Sequence, residues 1–263
     1  VNIMIIKIIG GLGNQMFQYA YGRNMELSGK KVVFDTSFFA GNKNSKDTVR
    51  NFKLDKFNIA TNAEFSPKRH LISDIWIKVK RRLGLNADVY FQSEKYFINI
   101  SDNIRQESTL KKLLSNKAQE SLSNIKNNNS ISLHIRRGDY VTDKNTNMFH
   151  GTCDVGYYEK AISLIKEKVD SPVFFVFSDD IAWAKDNLKG SEFVFVSSPE
   201  IEDAEELVLM SKCKHNIIAN SSFSWWGAWL NSNLDKIVIA PQKWFNDKKA
   251  NKNQILPEKW IRI

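Results

Sequence analysis

The chain has 263 residues, 42% of them apolar and 12% aromatic, enough to bury one sizeable core or two small ones sharing a cleft, which sets aside an unfolded chain. Lysine and arginine outnumber aspartate and glutamate by 38 to 29, giving a net charge of +9; that excess suits nucleic acid, an anionic membrane surface or a phosphorylated substrate and does not choose among them. The two cysteines, Cys153 and Cys213, stand far apart in sequence, neither with a second Cys at metal-ligand spacing, which points to a reduced, cytosolic compartment.

The first element, Ile3 to Ile9, is an apolar run broken by Lys7 that enters a glycine turn directly; it reads as a buried strand and not as a leader. No apolar run of about 18 residues occurs anywhere, so no membrane-spanning helix is expected. The turn is Gly10-Gly11-Leu12-Gly13-Asn14-Gln15-Met16-Phe17, followed by a helix from about Gln15 to Leu27 and a strand Val32 to Asp35. Strand, glycine turn, helix and a later acid resemble a dinucleotide-binding turn, with Asp35 as the ribose acid. Met16, however, occupies the third glycine position and is too bulky for the helix-to-strand approach that motif needs. Asn14 and Gln15 place two amides at the loop tip, suited to a neutral, hydroxyl-rich ligand such as a sugar; helix capping by Asn14 is the plainer alternative.

Gly41 to Asn51 is polar and rich in Asn and Lys, and Ser115 to Ser130 is poor in apolar residues, so a boundary is placed there, giving domains 1–125 and 126–263. Basic residues gather at Lys78, Lys80, Arg81 and Arg82, at Lys111 and Lys112, and at Lys243, Lys248, Lys249 and Lys252: a solvated face, or loose adhesion to anionic lipid. From Ile131 onward, strands Ile131 to Ile135, Val173 to Phe177, Phe193 to Val196, Asn216 to Ala219 and Lys236 to Ala240 alternate with helices Tyr157 to Val169, Ile181 to Leu188, Ala204 to Cys213 and Ser222 to Leu230. The expected architecture is α/β: two Rossmann-type lobes with parallel sheets and a cleft between them, ligand at the carboxyl ends of the strands.

Three further motifs stand at such strand ends. In His134-Ile135-Arg136-Arg137-Gly138-Asp139-Tyr140, two adjacent guanidiniums repel and are desolvated unless an anion joins them; Asp139 is one partner and a diphosphate the other. In Asn220-Ser221-Ser222-Phe223-Ser224-Trp225-Trp226-Gly227-Ala228-Trp229, a strand feeds a helix whose serine-rich first turn offers free amides to a phosphate, while Trp225, Trp226 and Trp229 read as core. In Phe177-Ser178-Asp179-Asp180, Asp179 serves either guanine donors or the next helix as a cap.

Together these motifs resemble glycosyltransferase family 11, specifically its bacterial α1,2-fucosyltransferases, over nearly the whole chain, with His150-Gly151-Thr152-Cys153 and Tyr157-Tyr158 adding to the match. The resemblance implies a two-lobed fold of the GT-B type and inverting transfer of L-fucose from GDP-β-L-fucose to the 2-hydroxyl of a glycan, with terminal β-galactose the expected acceptor and surface glycan the setting. It places Arg136 on the β-phosphate with Arg137 near it. His134 and Asp179 are set around guanine, Ser221, Ser222 and Phe223 against the phosphate through their amides, and Asn14, with the neighbouring Gly13 and Gln15, near the sugar. Asp-x-Asp occurs nowhere, so the arginines are expected to replace a metal ion, and no cofactor is expected. Asp139, Asp154 and Glu26 are eligible bases. The rivals are another fucosyl linkage, an NAD-dependent oxidoreductase and a basic nucleic-acid-binding protein; the lysines are not interleaved with aromatics, so nucleic acid is not an expected partner. The expected location is the cytoplasm, with peripheral contact to the inner membrane face.

Overall fold

The computed structural model describes residues 3–40, 50–70, 75, 79, 82, 89–138, 141, 143–246 and 255–263. The chain divides into two compact units, Val1–Lys111 and Lys112–Ile263.

In the first unit, β1 (Ile3–Lys7), β2 (Lys31–Asp35) and β3 (Glu64–Ser66) form a parallel sheet in the order β1-β2-β3. Between β1 and β2 runs α1 (Leu12–Leu27), and α2 (Ser101–Glu107) follows later. The close helix-to-sheet approach that Met16 cannot provide comes farther along α1, at Gly22, where a Cβ would collide with the Phe34 ring of β2. Ile6, Ile8, Phe17, Ala20 and Phe34 are buried here. A charge network ties α1 to α2: Tyr19 Oη donates to Glu107, Arg23 Nε donates to Glu107 at 3.0 Å, and Arg23 Nη1 pairs with Glu26 at 2.8 Å.

The second unit begins with α3 (Asn116–Lys126) and β4 (Asn129–Ile135), then α4 (Lys144–His150), α5 (Val155–Lys166), β5 (Pro172–Ser178), α6 (Ile181–Asn187), β6 (Phe193–Phe195), α7 (Asp203–Lys212), β7 (His215–Ile217), α8 (Ser222–Leu230), β8 (Val238–Ala240) and β9 (Ile261–Arg262). The unit boundary falls earlier than 125 because α3 is built into this unit. Ser115 caps α3 by accepting from Ala118 N, and its own N and Oγ both donate to Glu205 of α7. Ala118 and Ile125 are the buried residues of α3, too sparse a stripe to announce a helix in sequence.

All six strands are parallel, in the order β6-β5-β4-β7-β8-β9. The chain moves outward from β4 through β5 to β6, then crosses back to place β7 on the other side of β4. The strand order therefore reverses between β4 and β7, the point at which open α/β sheets leave a crevice beyond their carboxyl ends. Covered on both faces, β5 reads Pro-Val-Phe-Phe-Val-Phe-Ser, with Phe174, Phe175, Val176 and Phe177 buried. At the β4/β7 seam, buried Asn216 donates to Ser132 Oγ at 2.7 Å and to Met210 O at 3.0 Å, and accepts from Asn231 at 2.8 Å. This closed polar set fixes the seam without an orphaned group.

The α/β class and the parallel sheets agree with expectation, as do β4 to β8 and their helices within a few residues. The elements absent from the sequence reading are β3, α2, α3, α4 and β9, all short or weakly apolar. Residues 41–49, most of the polar stretch read from sequence, lie outside the described residues, as do Lys78, Lys80, Arg81, Lys248, Lys249 and Lys252. No described helix is long and apolar enough to cross a membrane.

Candidate functional site

Beyond the carboxyl end of β4 the chain runs His134-Ile135-Arg136-Arg137-Gly138; beyond β7 it runs to Ser221 and the start of α8. These two segments flank the reversal point and face each other, since the His134 and Phe223 rings lie 5.7 Å apart between centroids. The sheet register brings up the third segment. β4 and β5 pair with Ile135 opposite Ser178, so the next residues of each strand emerge side by side. Arg136 Nη1 accordingly pairs with Asp179 Oδ2 at 2.9 Å, and Arg137 Nε with Asp180 Oδ2 at 3.2 Å. Asp179 Oδ1 also accepts from Arg137 N at 2.8 Å. A Cβ on Gly138 would collide with the Asp179 carboxylate, so any side chain there would push Asp179 off the arginine segment.

Among the described residues, the guanidinium pair meets Asp179 and Asp180 as counter-ions; Asp139, the partner expected from sequence, lies outside the described residues. Asp179, expected at guanine, engages the arginine segment with both oxygens, while Asp180 also caps α6 by accepting from Trp183 N at 3.1 Å. Arg137 lies 4.3 Å over the Trp183 ring, which holds its plane. Both arginines remain half-buried at this end of the sheet.

His134 is buried, and its Nδ1 has no hydrogen-bond partner among the described residues. Burial, helped by the charge on Arg136, lowers its pKa to about 3, so the ring is neutral at physiological pH. Ser198 Oγ, just past β6, is likewise buried and unpartnered among the described residues. Buried polar atoms without a partner are rare in folded chains.

The start of α8 leaves backbone donors open. Ser221 Oγ caps it by accepting from Phe223 N at 3.3 Å, and Ser221 N donates to Ala219 O, which leaves the amides of Ser222 and Ser224 without partners among the described residues. Ser221 and Phe223 are thus engaged in the cap and the His134 contact, and of the three residues expected at the phosphate only Ser222 keeps an open amide, alongside that of Ser224. Trp225 and Trp226 are fully buried and Trp229 nearly so; Trp225 packs on Trp260 and Trp226 on Trp229, as core residues. Asn220 anchors the turn by donating to His150 O, Gly151 O and Trp244 O.

Glu206 is the residue that the motifs did not reveal. It projects from α7 beside Ser197 and near Asp179, and its carboxyl is pushed up to about 7: burial dominates, the Ser197 hydroxyl opposes, and Asp203 and Asp179 add repulsion. Its sequence signal was an acid set among Ala204, Leu207, Leu209 and Met210 on a helix ending at the same sheet.

The glycine loop is described within the first unit. Gly13 is buried in the first turn of α1. Gln15 is fully buried and spent: Nε2 donates to Gly10 O and Asn51 O, and Oε1 accepts from Lys53 N, so it holds the loop and leaves no donor for a ligand. Asn14 accepts at Oδ1 from Gln92 at 2.7 Å, while its Nδ2 hydrogens have no partner among the described residues. Asp35 is also spent. Burial would raise its pKa, but hydrogen bonds from Ser37 and His70 prevail and hold the carboxyl below its usual range. Asp35 is therefore not free to serve as the ribose acid on which the oxidoreductase reading drew. Two eligible bases are structural: Asp154 caps α5 through Tyr157 N, and Glu26 accepts from Arg23, Thr61 and Asn62. Among the described residues, no group of three His, Cys, Asp or Glu side chains is arranged to hold a metal ion.

A family model described as Glycosyl transferase family 11 matches residues 2–263. The O-antigen biosynthesis glycosyltransferase WbnK of Escherichia coli is 35% identical, covering 97% of this chain and 98% of its own. The alpha-1,2-colitosyltransferase of Escherichia coli is also 35% identical, covering 100% of this chain and 99% of its own. The galactoside alpha-(1,2)-fucosyltransferase 2 of Rattus norvegicus is 28% identical over 98% of this chain and 76% of its own length.

Proposed function

The chain belongs to glycosyltransferase family 11, and from that premise we propose that it transfers L-fucose, with inversion, from GDP-β-L-fucose to the 2-hydroxyl of a glycan ending in β-galactose. The observation that carries this reading is that the segment bearing Arg136 and Arg137 and the start of α8, with its open amides, lie at neighbouring strand ends and touch through His134 and Phe223 at the strand-order reversal.

In the reaction the C1–O bond of the donor breaks, its electrons pass to a β-phosphate oxygen, and the acceptor 2-oxygen bonds to C1 from the opposite face. Negative charge grows on the departing diphosphate. Arg136 and the Ser222 and Ser224 amides stabilise that charge more in the transition state than in the ground state, the condition for lowering a barrier. His134, neutral and orphaned at Nδ1, is suited to a neutral polar atom of the nucleotide and not to its phosphates. Asp179 takes the role of holding Arg136 in place. With the charge met by guanidiniums and amides, transfer is expected without a divalent ion. The proton of the acceptor 2-hydroxyl, lost late, after C1–O cleavage is advanced, passes to solvent water and needs no strong base.

The likeness to an alpha-1,2-colitosyltransferase favours a second donor reading, GDP-colitose, whose sugar is fucose lacking its 3-hydroxyl. Incubation with GDP-fucose and with GDP-colitose, each with β-galactosides and excess EDTA, tests both. The expected product is an α1,2-linked fucoside by NMR; transfer from GDP-colitose alone transfers the assignment to that donor, and an EDTA-sensitive reaction contradicts the role given to the arginines.

A further inference from the structure

Arg137 is held at three points, and all three holds come from the end of β5 and the helix that follows it. Its backbone N donates to Asp179 Oδ1 at 2.8 Å, its Nε pairs with Asp180 Oδ2 at 3.2 Å, and its guanidinium lies 4.3 Å over the Trp183 ring. One carboxylate sets both jaws. Asp180 gives Oδ2 to Arg137 and Oδ1 to Trp183 N, at 3.1 Å, so the residue that holds the arginine also starts the helix carrying the tryptophan. Asp180 is itself fixed, since its N donates to Ser178 Oγ at 2.9 Å. Trp183 packs against the core cluster that contains Ile135 of β4 and Val176 of β5, and its neighbour Ala184 is fully buried, so the ring is a firm surface.

What the clamp leaves open is one edge of the guanidinium. Arginine carries five N–H donors in a planar fork, and Nε supplies one of them. The hydrogens on Nη1 and Nη2 have no partner among the described residues. A carboxylate that served this arginine outright would accept two N–H groups in parallel. Asp180 takes a single one and leaves the Nη donors to another oxyanion. The rotation that a loose arginine loses on binding is already lost here, so less ordering remains to oppose that contact. β4 ends at Ile135, so strand alternation no longer separates the two arginines that follow it, and consecutive guanidiniums suit two linked phosphates better than one.

We propose that Trp183 and Asp180 are positioning residues that hold the Arg137 fork in the plane in which it grips the diphosphate of the donor, beside Arg136. This rests on the reading of this strand end as the donor site and adds to it the two residues that act there through Arg137. A tryptophan that only filled space would be replaceable by an apolar side chain of comparable reach, whereas a clamp on a cation needs an aromatic face.

The test is isothermal titration with GDP of wild type, Trp183→Leu, Trp183→Phe, Asp180→Asn, Arg137→Ala and the Trp183→Leu/Arg137→Ala double variant, with thermal midpoints measured alongside. Arg137→Ala is expected to weaken GDP binding about thirtyfold, the loss of charge-assisted hydrogen bonds to a phosphate. Trp183→Leu keeps apolar bulk without a π face and should weaken it about tenfold; Trp183→Phe keeps such a face and should stay within about threefold of wild type. Asp180→Asn still caps the helix but brings no charge to Nε, and should weaken binding about threefold to tenfold. The double variant should bind no more weakly than Arg137→Ala, because the clamp then has nothing to hold. Wild-type affinity in Trp183→Leu, equal losses in the Leu and Phe variants, or losses that multiply in the double variant overturn the proposal. Wild type silent toward GDP is a different failure, which removes the donor reading and the clamp with it. Should Trp183→Leu not fold, Asp180→Asn carries the decision, an unchanged affinity overturning the clamp.

Discussion

Arg136 and Arg137 leave one strand end side by side but have separate duties. Arg137 is clamped between the Asp180 carboxylate and the Trp183 ring, whereas Arg136 meets Asp179 through one Nη. Arg136→Ala should reduce kcat by about a hundredfold or more, the loss typical of one oxyanion-stabilising donor, with an unchanged circular dichroism spectrum. Arg136→Lys should recover only part of this, because a point charge does not replace the fork that serves Asp179 and a phosphate together. The motif itself was legible in sequence; its partners were not. Arg137 and Asp179 are 42 residues apart, and what joins them is the parallel register of β4 on β5, which no local pattern encodes. Gln15 was misread for a related reason: its neighbour Asn14 shares its chemistry, and only the fold shows that one amide is spent on Asn51 and Lys53 while the other keeps its donors.

Glu206 makes a prediction of its own at this scale. Its folded pKa, about 7, lies above the ordinary value of 4.5, so between those pH values the folded state keeps a proton that the unfolded state releases. Stability should therefore fall as pH rises through this window, by on the order of 1–2 kcal/mol once partial solvent exposure is discounted. Urea denaturation at pH 5 and pH 7.5 should show this slope in wild type and a flatter one in Glu206→Gln. An equal slope in the variant would remove Glu206 as its source.

Among elements, the turn from β7 into α8 shows how a site is held by residues that do not touch substrate. Asn220 satisfies three carbonyls from two distant loops, so Asn220→Ala leaves buried acceptors unpaired and should destabilise the unit by about 2–3 kcal/mol, read as a lowered urea midpoint. The loss of activity should follow the loss of fold. Ser222 to Leu230 was read from sequence at its observed bounds, because a serine cap and a dense apolar run agree. Lys144–His150 was not read, having neither a strong cap signal nor an apolar stripe. Asn116–Lys126 was taken for a boundary because its burial is confined to so few side chains.

At the scale of the whole molecule, strand order does more for function than any single motif. A sheet running β6-β5-β4-β7-β8-β9 places the ends of β4, β5 and β7 together, and all three motifs of the second unit sit on those ends. Alternating strands and helices made that topology an expectation; the crossover from β6 to β7 was what fixed where the crevice opens. The same arrangement predicts that GDP stabilises the fold by linkage. At a hundredfold excess over Kd it should contribute about 2.7 kcal/mol and raise the thermal midpoint by several degrees, whereas NAD at the same concentration should not.

The most direct measurement is a crystal structure of the protein soaked with GDP. It should show the β-phosphate within hydrogen-bonding distance of the Arg136 guanidinium and of the Ser222 amide at once. Nucleotide bound elsewhere, or phosphates contacting neither group, would contradict the assignment of this crevice as the donor site.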